Sequence, residues 1–122
     1  LLRKDMSFDD WKKENANWFL KRGIKNVCIT LGEKGSYFYN GKEELSMDAF
    51  PITPVDTTAA GDAFNGGFAY GIANGWSVGK SMIVGNACGA LAASTIGAQN
   101  SICSMKEVMA FLRDRGIDLD NL

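Results

Sequence analysis

An α/β fold is predicted by three features of the chain. A short β-rich run, Val27-Cys28-Ile29-Thr30-Leu31, follows directly on a helical segment, two strand-like segments flank Asn40-Gly41, and apolar residues recur at helical spacing at Phe64, Phe68 and Ile72. Strand-like and helix-like stretches that succeed one another in this way mark a layered domain rather than a bundle or a sandwich. At 122 residues the chain is long enough for one domain with a real core and short for two.

Taken in order, Ser7 before Phe8-Asp9-Asp10 marks a helix start with acid in its first turn, and Arg22-Gly23 marks the end. Phe8, Trp11, Trp18 and Phe19 lie near one face, which predicts that both tryptophans belong to the core rather than to a ligand platform. The run Val27 to Leu31 has the character of a buried parallel strand. Thr30-Leu31-Gly32-Glu33-Lys34-Gly35 ends it with two glycines, which is either a plain turn or a place where backbone approaches a ligand at the carboxyl end of a sheet. Ser36 to Tyr39 and Glu44 to Met47, on either side of Asn40-Gly41, predict an antiparallel hairpin.

Pro54 biases Thr53 toward extended geometry, Asp56 and Thr57 favour a turn, and a helix begins near Ala60 or Gly61 and closes at Asn74-Gly75. Ser77 opens the next helix. Lys80 and Lys106 bracket an uncharged run, residues 81–105, long enough to cross a membrane. Ser81, Asn86, Ser94, Thr95 and Gln99 interrupt it, and Gly85, Gly89 and the alanines between them suit a helix buried among close neighbours. Ser104-Met105-Lys106-Glu107 is a capping box, followed by Met105, Val108, Met109 and Leu112 as the buried stripe of a last helix.

Thirteen Lys plus Arg against fourteen Asp plus Glu leave a net charge of −1, which offers no electrostatic footprint for nucleic acid or an anionic membrane. The absence of His excludes Ser-His and Cys-His nucleophiles and imidazole metal sites, leaving carboxylates, Lys and hydroxyls for chemistry. Cys28, Cys88 and Cys103 are odd in number and form no C-x-x-C pair, which predicts reduced, buried thiols and a cytoplasmic protein. The opening Leu1-Leu2-Arg3-Lys4 carries neither an initiator Met nor a signal-peptide pattern, so the chain reads as a piece of something longer.

The stretch with the most chemistry is Asp56-Thr57-Thr58-Ala59-Ala60-Gly61-Asp62-Ala63-Phe64. At a helix start the first N–H groups lack intrahelical partners and carry the positive end of the dipole, so they can bind a phosphate. Ala59, Ala60 and Gly61 carry nothing larger than a methyl group, and Asp62 beside them is placed to accept a proton from an attacking hydroxyl. Gly-Asp at a helix start is equally ordinary capping chemistry.

This stretch resembles the C-terminal signature of the ribokinase-like (pfkB) family of carbohydrate kinases, D-T-[TI]-[GA]-A-G-D-[AT]-F. The resemblance implies the C-terminal portion of a three-layer α/β/α ribokinase-like fold, spanning 1–122, with the nucleotide site, the anion hole and the base. It implies that Ala59, Ala60 and Gly61 form the anion hole for the transferred phosphoryl group and that Asp62 is the catalytic base. The family's T-x-G-x-x-G implies nucleotide contacts at Thr30, Gly32 and Gly35, and an ungapped alignment sets Asn86 near the adenine, with a buried Asn satisfied by backbone as the alternative. Gly97-Ala98-Gln99-Asn100-Ser101 resembles the G-A-Q-x-S loop of ribokinase-type members. That likeness implies a monovalent cation, potassium, held by Asp56, Thr58, Ala92, Thr95, Gly97 and Ser101. Asn40-Gly41-Lys42-Glu43 spells the family's magnesium-associated N-x-x-E on a hairpin tip, downstream of its usual place, and is a decoy.

The implied activity is transfer of the γ-phosphoryl of ATP, with Mg2+, to a sugar hydroxyl. Alternatives are a nucleoside or vitamin-precursor kinase of the same superfamily and a non-catalytic nucleotide-binding module. The family's N-terminal half, with most sugar contacts and the lid, lies outside these 122 residues, so the chain alone is expected to be inactive and the sugar unreadable. The parent is expected to be a homodimer, and the chain alone to self-associate through an uncovered apolar sheet edge or face.

Overall fold

The computed structural model describes residues 6–94 and 104–122. Its elements, in chain order, are α1 (Phe8–Leu20), β1 (Val27–Thr30), β2 (Ser36–Tyr39), β3 (Glu44–Met47), α2 (Ala60–Ala73), α3 (Val78–Ala93) and α4 (Met105–Arg113). A 3-10 turn, Gly32–Lys34, joins β1 to β2.

The helix boundaries follow the sequence signals. Ser7 caps α1 by accepting from the Asp10 N–H at 3.2 Å, and Ser77 caps α3 by accepting from the Lys80 N–H at 3.2 Å. The predicted capping box is formed at α4, where the Ser104 N–H donates to Glu107 Oε1 and the Glu107 N–H to Ser104 Oγ, each at 3.2 Å. Such caps satisfy backbone donors that would otherwise be orphaned, typically for ~1 kcal/mol each. Gly75 takes a φ of +76° where α2 turns toward α3, a conformation that favours glycine.

The three strands form one sheet in the order β1-β2-β3, antiparallel throughout. The parallel pairing expected for Val27 to Leu31 does not occur among the described residues. The turn at Gly32–Lys34 sends the chain straight back, so Thr30 pairs with Ser36 and Val27 with Tyr39, and β1 lies at the edge of the described sheet. The hairpin at Asn40-Gly41 forms as predicted. Asn40 Oδ1 accepts from the Lys42 and Glu43 amides at 3.0 and 2.7 Å, which gives the decoy N-x-x-E a purely structural task at the tip.

The sheet has a helix layer on each side. Val27, Ile29, Leu31, Tyr37 and Tyr39 pack with Ala16 and Leu20 of α1. Met47 points to the opposite face, where its Cε lies 3.5 Å from the place a Cβ would occupy on Gly79 of α3. Beyond it, Val84, Ala87, Cys88 and Ala90 of α3 form the main core with Val108, Phe111 and Leu112 of α4, and Phe50 and Ile52 lean on that core.

Two expectations about helix faces are corrected. Trp18 and Phe19 are 37 and 39 % exposed, and the face that α1 buries is Lys12, Asn15 and Ala16. Ala16 lets the helix sit close to the sheet, and Lys12 lies over the Tyr37 ring, its Nζ 4.9 Å from the centroid and 3.2 Å from Asp9. The stem of such a lysine covers apolar surface as well as a hydrocarbon side chain would. Trp18 instead carries the Arg22 guanidinium on its ring at 3.6 Å. In α2 the buried face is Phe64, Gly67 and Gly71, while Ile72 is exposed. Close approach to α3 selects the glycines. A Cβ on Gly67 would meet Cys88 Sγ at 2.8 Å, and one on Gly85 would meet the Phe64 ring at the same distance.

Candidate functional site

The first turn of α2 has the character expected of an anion site. Ala59 is the N-cap and no side chain caps this end. The Ala60 N–H donates to the Thr57 carbonyl at 3.2 Å and the Ala63 N–H to the Ala59 carbonyl at 2.9 Å. Among the described residues the amides of Gly61 and Asp62 therefore have no backbone or side-chain acceptor, and both residues are exposed. Two outward N–H groups at the positive end of a helix suit the oxygens of a phosphoryl group. The Asp62 carboxylate stands in the same turn and makes no cap hydrogen bond, so the ordinary capping role leaves it uncommitted.

The entry to that turn is tied to the far end of α3. The Val55 and Asp56 amides both donate to the Ala93 carbonyl, at 2.8 and 3.0 Å, and Asp56 Oδ1 accepts from the Thr58 N–H at 2.9 Å. Asp56, Thr58 and Ala92 are thus brought to one corner of the fold. Thr95, Gly97 and Ser101, the remaining predicted cation ligands, lie outside the described residues, as does Cys103. Ala93 was not singled out by sequence reasoning, because its contribution is a backbone carbonyl that any residue supplies.

The predicted nucleotide residues gather at the exit of β3. Gly32 and Gly35 have φ of +58° and +94°. A Cβ on Gly35 would sit 2.7 Å from the Ala49 nitrogen and collide with the Met47 carbonyl. Glycine is required there so that the loop can lie against Met47 to Ala49. Asn86 grips the same segment from α3, its Nδ2 donating to the Asp48 carbonyl at 3.2 Å. The Asn86 amide therefore has a structural partner, in line with the alternative that sequence reasoning left open. Thr30 is exposed at the end of β1.

One helix links these corners. Asn86 holds the segment beside the glycine loop, Gly89 faces the start of α2, where a Cβ would lie 3.3 Å from the Ala60 carbonyl, and Ala93 holds the entry at Asp56. At about 1.5 Å per residue these three anchor points span roughly 10 Å of α3. A groove of about 770 Å³ runs along α1, lined by residues such as Asp10, Glu14 and Asn17, and it holds none of the predicted site residues. It is an irregularity along a helix surface, and the convergence on α3 is the better guide to chemistry.

Cys28 is half-buried, and burial pushes its thiol up to about 11. Burial and the Glu44 carboxylate, which accepts the Tyr37 O–H at 2.5 Å, also raise the Tyr37 phenol. Both groups are neutral at ordinary pH and pack rather than react. Among the described residues no helix is long and apolar enough to cross a membrane.

A sheet flanked by helices, with glycine loop and open helix start joined by one buried helix, defines a ribokinase-like α/β protein. The family model described as pfkB family carbohydrate kinase matches residues 9–105, and the chain belongs to that family. It is 39 % identical over 97 residues to a ribokinase of Staphylococcus aureus, covering 79 % of this chain and 32 % of the relative. Among solved structures it matches a ribokinase from Thermotoga maritima with a TM-score of 0.78 and 42 % identity, over 82 % of this chain and 34 % of that one. It also matches an Arabidopsis thaliana ribokinase complexed with ribose and ATP, with a TM-score of 0.79 and 30 % identity, over 86 and 34 % of the two chains. The 122 residues thus span about a third of the length of the proteins they match.

Proposed function

We propose that these residues are the C-terminal, catalytic portion of an ATP-dependent sugar kinase of the ribokinase and fructokinase type. The observation that carries the reading is the open start of α2, where the Gly61 and Asp62 amides lack acceptors and the Asp62 carboxylate stands in the same turn, within a chain of the pfkB family. Phosphoryl transfer passes through a loose transition state with charge on its equatorial oxygens, so the protein's tasks are alignment and neutralisation. Asp62 takes the proton of the sugar hydroxyl as that oxygen bonds to the γ-phosphorus and the bond to ADP breaks. The Gly61 and Asp62 amides, which have no acceptor among the described residues, meet the charge on the transferred group, and the Ala59 and Ala60 methyl groups leave room for it.

ATP is assigned to the loop Thr30 to Gly35, where Thr30 and Gly32 are exposed at the strand end and Gly35 lets the loop lie against Met47 to Ala49. Magnesium accompanies the triphosphate and neutralises its charge. Potassium belongs beside Asp56, Thr58 and Ala92, where the Val55 and Asp56 amides tie the signature's entry to the Ala93 carbonyl at the end of α3. Cation binding there stiffens the anion hole. The Arabidopsis relative, complexed with ribose and ATP, supports a small sugar as acceptor. The whole protein works as a cytoplasmic homodimer in this reading, whereas the 122 residues alone retain base and anion hole without the sugar pocket.

Incubation with ATP, magnesium, potassium and a panel of pentoses and hexoses tests the proposal. The full-length protein is expected to form a sugar phosphate, and the 122-residue chain none above background. A full-length protein that binds ATP and transfers nothing would leave a non-catalytic nucleotide-binding module as the answer.

A further inference from the structure

We propose that Ser36 is a positioning residue of the nucleotide site, its buried hydroxyl aiming the Thr30 hydroxyl at a phosphate oxygen of a nucleoside triphosphate. The inference rests on the reading of Thr30 to Gly35 as a nucleotide loop. Ser36 is 1 % exposed, and its Oγ has no hydrogen-bond partner among the described residues. A buried hydroxyl left unpaired is costly, so such a group in a folded protein calls for a partner that arrives with a ligand or a rearranged neighbour.

The geometry points to Thr30 as that neighbour. Thr30 and Ser36 are register partners across β1 and β2. The Leu31 N–H donates to the Gly35 carbonyl at 2.8 Å just beyond the last register pair, which makes Thr30 and Ser36 a non-bonded pair, the kind in which side chains come closest. Ile29 and Tyr37 pack toward α1, which by strand alternation directs Thr30 and Ser36 together to the other face. Thr30 is exposed while Ser36 is buried. The pair therefore joins a hydroxyl in contact with solvent to one enclosed in the protein, at the root of the glycine loop.

A hydroxyl donates one proton and accepts through two lone pairs. When the Ser36 O–H donates to Thr30 Oγ1, the Thr30 proton is left to point outward, toward an acceptor such as a phosphate oxygen. With Ser36 removed, the Thr30 rotor has no such constraint and part of its binding energy is lost to orientation. No bond is made or broken in this step.

The test uses the full-length protein, with MgATP affinity from titration calorimetry, KM for the sugar, and the melting temperature without nucleotide. Ser36→Ala is expected to weaken MgATP about fivefold, the equivalent of one net hydrogen bond. It should leave the sugar KM unchanged and the melting temperature unchanged or higher, because the deleted hydroxyl was unpartnered. Thr30→Val should weaken MgATP as well, and the double variant should bind no worse than Thr30→Val alone. An intact MgATP affinity in Ser36→Ala beside a weakened one in Thr30→Val overturns the proposal while sparing the nucleotide loop. So do effects of the two variants that multiply, or a Ser36→Ala protein that loses thermal stability and sugar affinity together. No effect from Thr30→Val overturns the loop reading itself, and the proposal with it.

Discussion

Replacing Gly67 by Ala tests whether α2 and α3 pack as closely as their glycine contact implies, since the proposed anion site lies at the start of the helix that this contact holds against α3. A Cβ at position 67 would lie 2.8 Å from Cys88 Sγ and 3.2 Å from both the Gly85 Cα and the Val84 carbonyl. Carbon contacts are ordinarily about 3.5–4.0 Å, so the methyl group is roughly 1 Å too close to the sulfur and only slightly too close to the backbone. Overpacking of this kind costs ~1–3 kcal/mol, set against a gain of ~1 kcal/mol from replacing glycine inside a helix. The single variant is therefore expected to be neutral to ~2 kcal/mol less stable. Cys88→Ala alone should cost about 1 kcal/mol by emptying a buried site. In the double variant the new methyl occupies the space of the sulfur, and the two changes should couple favourably by ~1–2 kcal/mol. Urea unfolding of the full-length protein gives each term of the cycle. A Gly67→Ala variant that gains the full helix-propensity increment whatever stands at position 88 would show that the helices are not in contact there, and the argument that α3 registers the anion site would fall with it.

Three further outcomes follow from the same geometry. Gly35→Ala should lose at least ~2 kcal/mol of stability and most MgATP affinity, because φ of +94° and the Met47 carbonyl both exclude a side chain; binding by calorimetry unchanged from wild type would refute the loop's role. Turnover of the full-length enzyme should be higher in potassium than in sodium, with the response in kcat at least as large as in sugar KM, and equal rates in potassium, sodium and a bulky organic cation would remove the cation site. Cys28, whose thiol is raised from 9.0 to about 11, favours the neutral form in the folded state, so its contribution to stability is complete below pH 9 and is lost as pH rises toward 11. Peptide-level alkylation should accordingly find Cys28 protected at pH 8 in the native protein and reactive in urea; equal labelling in both would place the thiol in solvent.

Much of this fold was legible in the sequence because its signals are local. Ser7, Ser77 and Ser104 each name a helix start, and Asn40-Gly41 names a hairpin, through hydrogen bonds made within three residues. What depended on distant neighbours was not legible. Trp18 and Phe19 look like core by character, yet Ala16 and the stem of Lys12 fill the contact with the sheet. The stripe Phe64, Phe68, Ile72 gives way to Phe64, Gly67, Gly71 because a close helix neighbour selects absent side chains, which a count of apolar residues cannot detect. Val27 to Leu31 has the composition of a parallel strand, while its pairing among the described residues is set by the tightness of the turn that follows. The place of Asp62 in a helix's first turn and the loop at Gly35 were legible, the first from the small residues before Phe64 and the second from a paired-glycine strand end. Ala93, acting through its carbonyl, and Ser36, acting through burial, leave no such mark.

The claim that Asp62 is the base is tested most directly by Asp62→Asn in the full-length protein. The substitution keeps size and removes the proton acceptor at an exposed position. General-base catalysis contributes ~10² to 10⁴-fold, so kcat for sugar phosphorylation should fall at least ~10²-fold with MgATP affinity little changed. Near wild-type turnover in the folded variant would contradict the account and return Asp62 to the role of an ordinary acidic residue in a helix's first turn.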